Sequence, residues 1–106
     1  MPKQEVPTIS VIVRTKNEEK WIGYCLDAVF DQKVDANIEV ILIDNESTDG
    51  TLEIARRYPV TRILSTKHFF PGKALNDGIR ASAGDYIACL SAHCIAENSN
   101  WLSVML

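Results

Sequence analysis

The stretch Ile38-Glu39-Val40-Ile41-Leu42-Ile43, followed at once by Asp44-Asn45-Glu46-Ser47-Thr48-Asp49-Gly50, decides the fold. The first part is a nearly continuous apolar run, which suits a strand covered on both faces of a parallel sheet. The second part is dense in turn and helix-capping residues, so the strand ends abruptly in a polar loop. One of Ser47, Thr48 or Asp49 is expected to cap a short helix that runs through Tyr58 and stops before Pro59.

The same rhythm extends to both sides of this stretch. Upstream, Thr8-Ile9-Ser10-Val11-Ile12-Val13 is a β-branched run suited to a strand. Between the two strands, Glu18 to Phe30 places Ile22, Cys25, Leu26 and Val29 at the i, i+3, i+4, i+7 spacing of a helix face. Downstream, Val60 to Ser65 reads as a third, weaker strand. Pro71 then opens a helix in which Leu75, Gly78, Ile79 and Ser82 share one face, with Gly84 as its C-cap. Asp85 to Leu90 is the fourth strand. Cys25 and Cys89 fall on core-facing positions, and Trp21 and Trp101 read as packing residues. Strands alternating with helices of this size imply right-handed crossovers and a mostly parallel, Rossmann-like α/β sheet with flanking helices.

Composition bounds the function. The 106 residues carry 11 Lys+Arg against 14 Asp+Glu, a formal charge of −3, and 46% are hydrophobic. That length suits one domain with one modest core. The mild acidity argues against nucleic acid as a partner, because there is no Lys/Arg excess to release counterions. No apolar run approaches the roughly 20 residues that span a bilayer. The polar start Met1-Pro2-Lys3-Gln4-Glu5 does not lead to the expectation of a signal peptide. Three cysteines fit no disulfide framework, so a reduced, cytoplasmic setting is expected.

Ligands of such sheets bind beyond the C-terminal ends of the strands. Those ends run out into Arg14-Thr15-Lys16-Asn17-Glu18-Glu19, Asp44-Asn45-Glu46-Ser47, Lys67-His68-Phe69-Phe70-Pro71-Gly72-Lys73 and Ser91-Ala92-His93. Ordinary turn chemistry explains any one of them. Four together, with carboxylates and lysines side by side, favour a polar, anionic ligand. The dinucleotide pattern G-x-G-x-x-G is absent, and so are H-E-x-x-H, paired C-x-x-C and G-x-S-x-G. Pro71-Gly72-Lys73 at a helix start is left as the phosphate-favouring segment.

Three blocks in this order resemble the nucleotide-binding half of family 2 glycosyltransferases with the GT-A fold. They are Ile9 to Glu19, then Ile43-Asp44-Asn45-Glu46-Ser47-Thr48-Asp49-Gly50-Thr51, then Ala74 to Ile79 with Ala83 to Ile87. The resemblance implies a sheet ordered 3-2-1-4 and an inverting transfer of a sugar from a nucleotide-diphosphate donor to a hydroxyl acceptor, saccharide or lipid-linked. It implies that Thr15 and Lys16 lie at the base pocket and that Glu19 is acidic near the nucleotide. Asn45 falls where a second Asp commonly reads uracil, and Asp44 either binds ribose or caps its own turn. Lys73, Asn76 and Ser91 complete the nucleotide-sugar set.

Three positions depart from the family's commonest pattern. Lys16 replaces a frequent Tyr, and Asn45 replaces an acid with an amide that both donates and accepts. Ser91-Ala92-His93 replaces the Asp-x-Asp that holds a divalent cation, manganese or magnesium. His93 is thus the metal candidate, and either the metal is held more weakly or Lys73 helps neutralise the diphosphate. The general base is expected beyond Leu106. The chain is therefore expected to be the N-terminal donor-binding portion of a longer domain, inactive alone, with membrane association at the cytoplasmic face left open for the intact enzyme. The competing reading is a non-catalytic nucleotide-binding or interaction module on the same fold.

Overall fold

A computed structural model describes residues 6–67, 78–80 and 82–91. Among them are four parallel strands, β1 (Thr8–Thr15), β2 (Asn37–Asp44), β3 (Arg62–Ser65) and β4 (Tyr86–Ser91), in the order β3-β2-β1-β4. Helices α1 (Ile22–Phe30) and α2 (Thr51–Ala55) follow β1 and β2. The α/β class and the 3-2-1-4 order are those expected. No helix among the described residues is long and apolar enough to cross a membrane.

The strand period of two divides the apolar residues between the faces. Ile9, Val11 and Val13 of β1 join Val40 and Leu42 of β2 against Ile22, Cys25, Leu26 and Val29 of α1, all buried. The helix face read from the sequence is therefore the face that packs. On the other side Ile12, Ile41 and Ile43 form a smaller cluster with Leu64. Gly78 lies directly on it, where a Cβ would come 2.7 Å from Ile12 Cγ2. Burying each of these aliphatic side chains contributes about 1.5–3 kcal/mol relative to exposure. Tyr58, in the turn after α2, ties that segment to α1: its ring stacks on Phe30 at 6.1 Å, and its hydroxyl donates to Asp27 Oδ1 at 2.7 Å.

Several expectations are corrected. β1 and β2 run on through Arg14-Thr15 and Asp44, because these polar residues continue the ladder in register. α1 begins at Ile22 rather than Glu18, since residues 19–21 form a turn in which Glu18 O accepts from both Trp21 N and Ile22 N. Gly50, not Ser47, Thr48 or Asp49, occupies the N-cap of α2, and that helix ends at Ala55. Trp21 is 43% exposed, and Cys89 is exposed on β4, which has only one neighbouring strand among the described residues. Ile79 is 41% exposed, so it does not share the buried side of Gly78. Gly84 is no C-cap: residues 82–84 are already non-helical, and Ser82 donates its N–H and hydroxyl to Ile79 O. Trp101 and the Pro71 segment lie outside the described residues.

Candidate functional site

The register aligns the strand ends into an edge. Thr15 pairs with Asp44 and Asp44 with Ser65, while one step back Arg14 pairs with both Ile43 and Ser91. The chain builds outward from β1 to β3, then returns to place β4 on the other flank of β1. This reversal between β1 and β4 is a topological switch point, where open α/β sheets hold their ligands.

Two loops meet at this edge, and side chains stitch them together. Asp44 is 1% exposed, and its carboxylate accepts three hydrogen bonds. Thr15 Oγ1 donates at 2.5 Å, Ser47 Oγ at 2.6 Å and Ser47 N at 2.8 Å. The Ser47 hydroxyl in turn accepts Asn17 N at 2.9 Å, and Asn17 Oδ1 accepts Thr48 N at 2.7 Å. Further along, Thr51 Oγ1 accepts Glu18 N at 2.8 Å and Asp49 Oδ2 accepts Glu19 N at 3.2 Å. Glu19 Oε2 closes the set by accepting Gly50 N at 2.8 Å. Among the described residues no buried side-chain nitrogen or oxygen lacks a partner.

The clasp holds two strained backbones. Asn17 has φ 50 and Glu46 φ 47, both left-handed. Asparagine tolerates that region through its short polar side chain, whereas glutamate pays about 1–2 kcal/mol. Glu46 is exposed, and its carbonyl accepts Lys16 Nζ at 3.5 Å. The strain thus falls where the loop after β2 turns away from Asn45.

The sequence candidates divide into three groups. Thr15 and Asp44 are brought together and buried, with the turn-capping contacts of Asp44 present in full. Asn45 is half-buried; its N–H donates to Thr15 O at 2.9 Å, and its side-chain amide makes no hydrogen bond among the described residues. Lys16 and Glu19 are exposed, the first against Glu46 and the second against Gly50, and Ser91 stands half-buried at the end of β4. Lys73, Asn76 and His93 lie outside the described residues, as do His68, Phe69 and Phe70. Among the described residues there is no group of three His, Cys, Asp or Glu side chains able to hold a metal. Arg14, Asn17, Ser47, Asp49 and Thr51 stand at this edge without having been assigned a ligand-binding role from the sequence, which read Ser47 and Asp49 only as cap candidates. Their density in Asn, Asp, Ser and Thr marked loops, but not which loop each would fasten.

Asp49 carries a pH signature. Partial burial pushes its carboxyl up, but hydrogen bonds from the Thr51 hydroxyl, Thr51 N–H and Glu19 N–H outweigh this and hold it below the ordinary 3.8. A folded value below the unfolded one gives stability that is complete above pH 3.8 and lost as the pH falls beneath it. Asp49→Asn should therefore flatten part of the acid limb of a melting-temperature profile. An unchanged acid limb would show that these bonds do not favour the ionised form.

Similarity to known proteins agrees with this geometry. The sequence profile described as Glycosyl transferase family 2 matches residues 10–106. Glycosyltransferase AglE of Haloferax volcanii is 34% identical over 103 residues, which cover 92% of this chain and 34% of that protein. TarS of S. aureus, solved in complex with UDP-GlcNAc, superposes with a TM-score of 0.82 at 27% identity, covering 92% of this chain and 30% of that one. The mannosyltransferase PcManGT of Pyrobaculum calidifontis, in complex with GDP-Man and Mn2+, gives 0.79 at 28% identity, covering 97% and 34%. The chain thus spans about a third of the length of AglE and of PcManGT. A parallel 3-2-1-4 sheet with a polar edge at its switch point, matched along nearly all its length, makes this chain a member of glycosyl transferase family 2.

Proposed function

We propose that the chain is the donor-binding portion of an inverting glycosyltransferase, which moves a sugar from a nucleotide-diphosphate donor to a hydroxyl on a saccharide or lipid-linked acceptor. One observation carries the reading: Thr15, Asp44, Asn45 and Ser91 converge at the switch-point edge of a sheet built like those of TarS and PcManGT. Asn45 is the candidate base reader. Its backbone is fixed by Thr15 O, and its amide offers both a donor and acceptors to a base edge. Lys16 and Glu19 flank the same loop, while Lys73 and Asn76 are proposed for the phosphate and sugar. The chemistry asks little covalent work of the protein, because the leaving diphosphate gathers charge that nearby cations stabilise.

A divalent cation is proposed on that diphosphate, by analogy with the Mn2+ in the PcManGT complex. When bound it would supply Lewis-acid stabilisation of the leaving group. The described residues do not by themselves suit it: Ser91 offers one neutral hydroxyl, and the further donor proposed, His93, is an imidazole without negative charge. No step is therefore assigned through it.

Calorimetric titration with UDP, dTDP and GDP, each with manganese and with chelator, tests the reading. Binding of one nucleotide is expected, and binding of none at millimolar concentration would overturn it. Asn45→Ala should change the preference among bases by about tenfold, the discrimination that one bidentate contact supplies. An equal loss for all three nucleotides would contradict its assignment. Affinity indifferent to chelator would remove His93 as a ligand. The non-catalytic alternative has no specific observation in its favour, since similar proteins such as AglE are named as glycosyltransferases.

A further inference from the structure

We propose that Arg14 contacts the donor: its guanidinium binds the diphosphate of the nucleotide sugar in the crevice between β1 and β4. The proposal rests on the donor-binding reading above and adds a residue to it.

Its place in the sheet is the first argument. Arg14 is the penultimate residue of β1 and pairs in register with Ser91 of β4 on one side and Ile43 of β2 on the other. It therefore stands on the inner flank of the switch point itself, where the ligand crevice of such a sheet opens. A surface arginine on a helix is a solvated charge. This one is half-buried within one of the two interior strands of the described sheet.

The pleat supplies the second. Thr15, with Asp44, projects toward the side of Val11 and Val13, whereas Arg14 projects toward the side of Ile12 and Cys89. The two positions frame the edge from opposite faces. Asn45 lies on the β1–β2 side, so a nucleotide whose base meets Asn45 extends its phosphates across β1 toward β4. The positive charge of Arg14 acts in that direction. Partial burial pushes the Cys89 thiol up, and the Arg14 charge opposes it from the neighbouring strand.

Charge balance is the third. β4 ends at Ser91, and the sequence Ser91-Ala92-His93 contains no carboxylate. A diphosphate entering there needs cationic partners, and a planar guanidinium suits phosphate because it offers two parallel N–H donors. With five donors, Arg14 can hold an acceptor of its own chain and still present a fork to phosphate.

The test uses the full chain and the base preferred by the wild type. Arg14→Gln and Arg14→Lys are titrated with the nucleoside, its monophosphate and its diphosphate, at low and high salt. Arg14→Gln should weaken the diphosphate about 10–100-fold, the effect of losing charge-assisted hydrogen bonds, with the nucleoside unchanged within twofold. Arg14→Lys should recover part of the loss, since it keeps the charge but not the fork. The salt dependence of diphosphate binding should be shallower in Arg14→Gln. Should Arg14→Gln fail to fold, the nucleoside-to-diphosphate ratio of Arg14→Lys carries the comparison. Equal losses for nucleoside and diphosphate would make Arg14 a structural residue and overturn the proposal, as would a diphosphate affinity unmoved in both variants. A wild-type chain that binds no nucleotide takes down the donor reading itself, a distinguishable failure.

Discussion

Gly84→Ala should destabilise the chain by about 3 kcal/mol, at the upper end of ordinary overpacking. An added Cβ would come 2.7 Å from the backbone nitrogen of Ser10 and 2.9 Å from the carbonyl of Tyr86, with Ser10 Oγ closer still. Two of those three neighbours are backbone and cannot rotate away. The displacement would fall on the start of β4, where Asp85 N donates to Thr8 O at 2.7 Å and Thr8 N donates to Asp85 Oδ2 at 3.0 Å. It would also disturb Glu39, whose Oε2 accepts both Ser10 Oγ at 2.6 Å and Ala83 N at 3.0 Å. In a domain of this size the loss corresponds to a melting temperature lower by on the order of 15 °C. Ser10→Ala in the same background separates the causes. It removes the hydroxyl and leaves the nitrogen, so it should not restore stability. Full restoration in urea unfolding would show that only the hydroxyl is crowded.

Glycine 84 also shows where sequence reasoning stops. Its position after a helical pattern suggested a C-cap, yet no glycine among the described residues has a positive φ. The reason for glycine is a neighbouring strand 74 positions earlier in the chain, which no local pattern reports. Periodicity did find what periodicity encodes: Ile22, Cys25, Leu26 and Val29 are all buried, and the apolar run ending at Ile43 lies inside a parallel sheet. The candidate edge was legible for the same reason, because strand ends in such a sheet share one rim. Its wiring was not. Asn17 with Thr48, Glu18 with Thr51 and Glu19 with Gly50 are pairs separated by 31, 33 and 31 positions. Each residue reads locally as a turn former, and only the β1–β2 register brings one loop against the other. Cys89 and Trp21 failed differently: both sit at sites an apolar side chain can occupy, and the pattern does not reveal how much of that surface the fold covers.

Asp44 is where that wiring converges, and Asp44→Ala should cost about 3 kcal/mol and abolish nucleotide binding together. The substitution removes the acceptor of three hydrogen bonds at a residue 1% exposed, leaving the Thr15 hydroxyl, also 1% exposed, without it. An unsatisfied buried donor costs about 1–3 kcal/mol, and the release of Ser47 adds to it. Ser47 holds Asn17 N, so the loss would spread to the loop after β1 and free Asn17 to leave its left-handed conformation. Asn45 follows Asp44 directly, and its backbone is anchored only one residue from the broken bonds. Asp44→Asn distinguishes charge from shape. Its amide oxygen keeps one acceptor, but its NH2 cannot accept from Ser47 or Thr15, so an intermediate loss of about 1–2 kcal/mol is expected. Urea unfolding of both variants measures the stability, and nucleotide titration well below the melting temperature measures the site. Wild-type affinity in a folded Asp44→Ala chain would show that the two loops hold their positions without this carboxylate, and that the clasp serves stability alone.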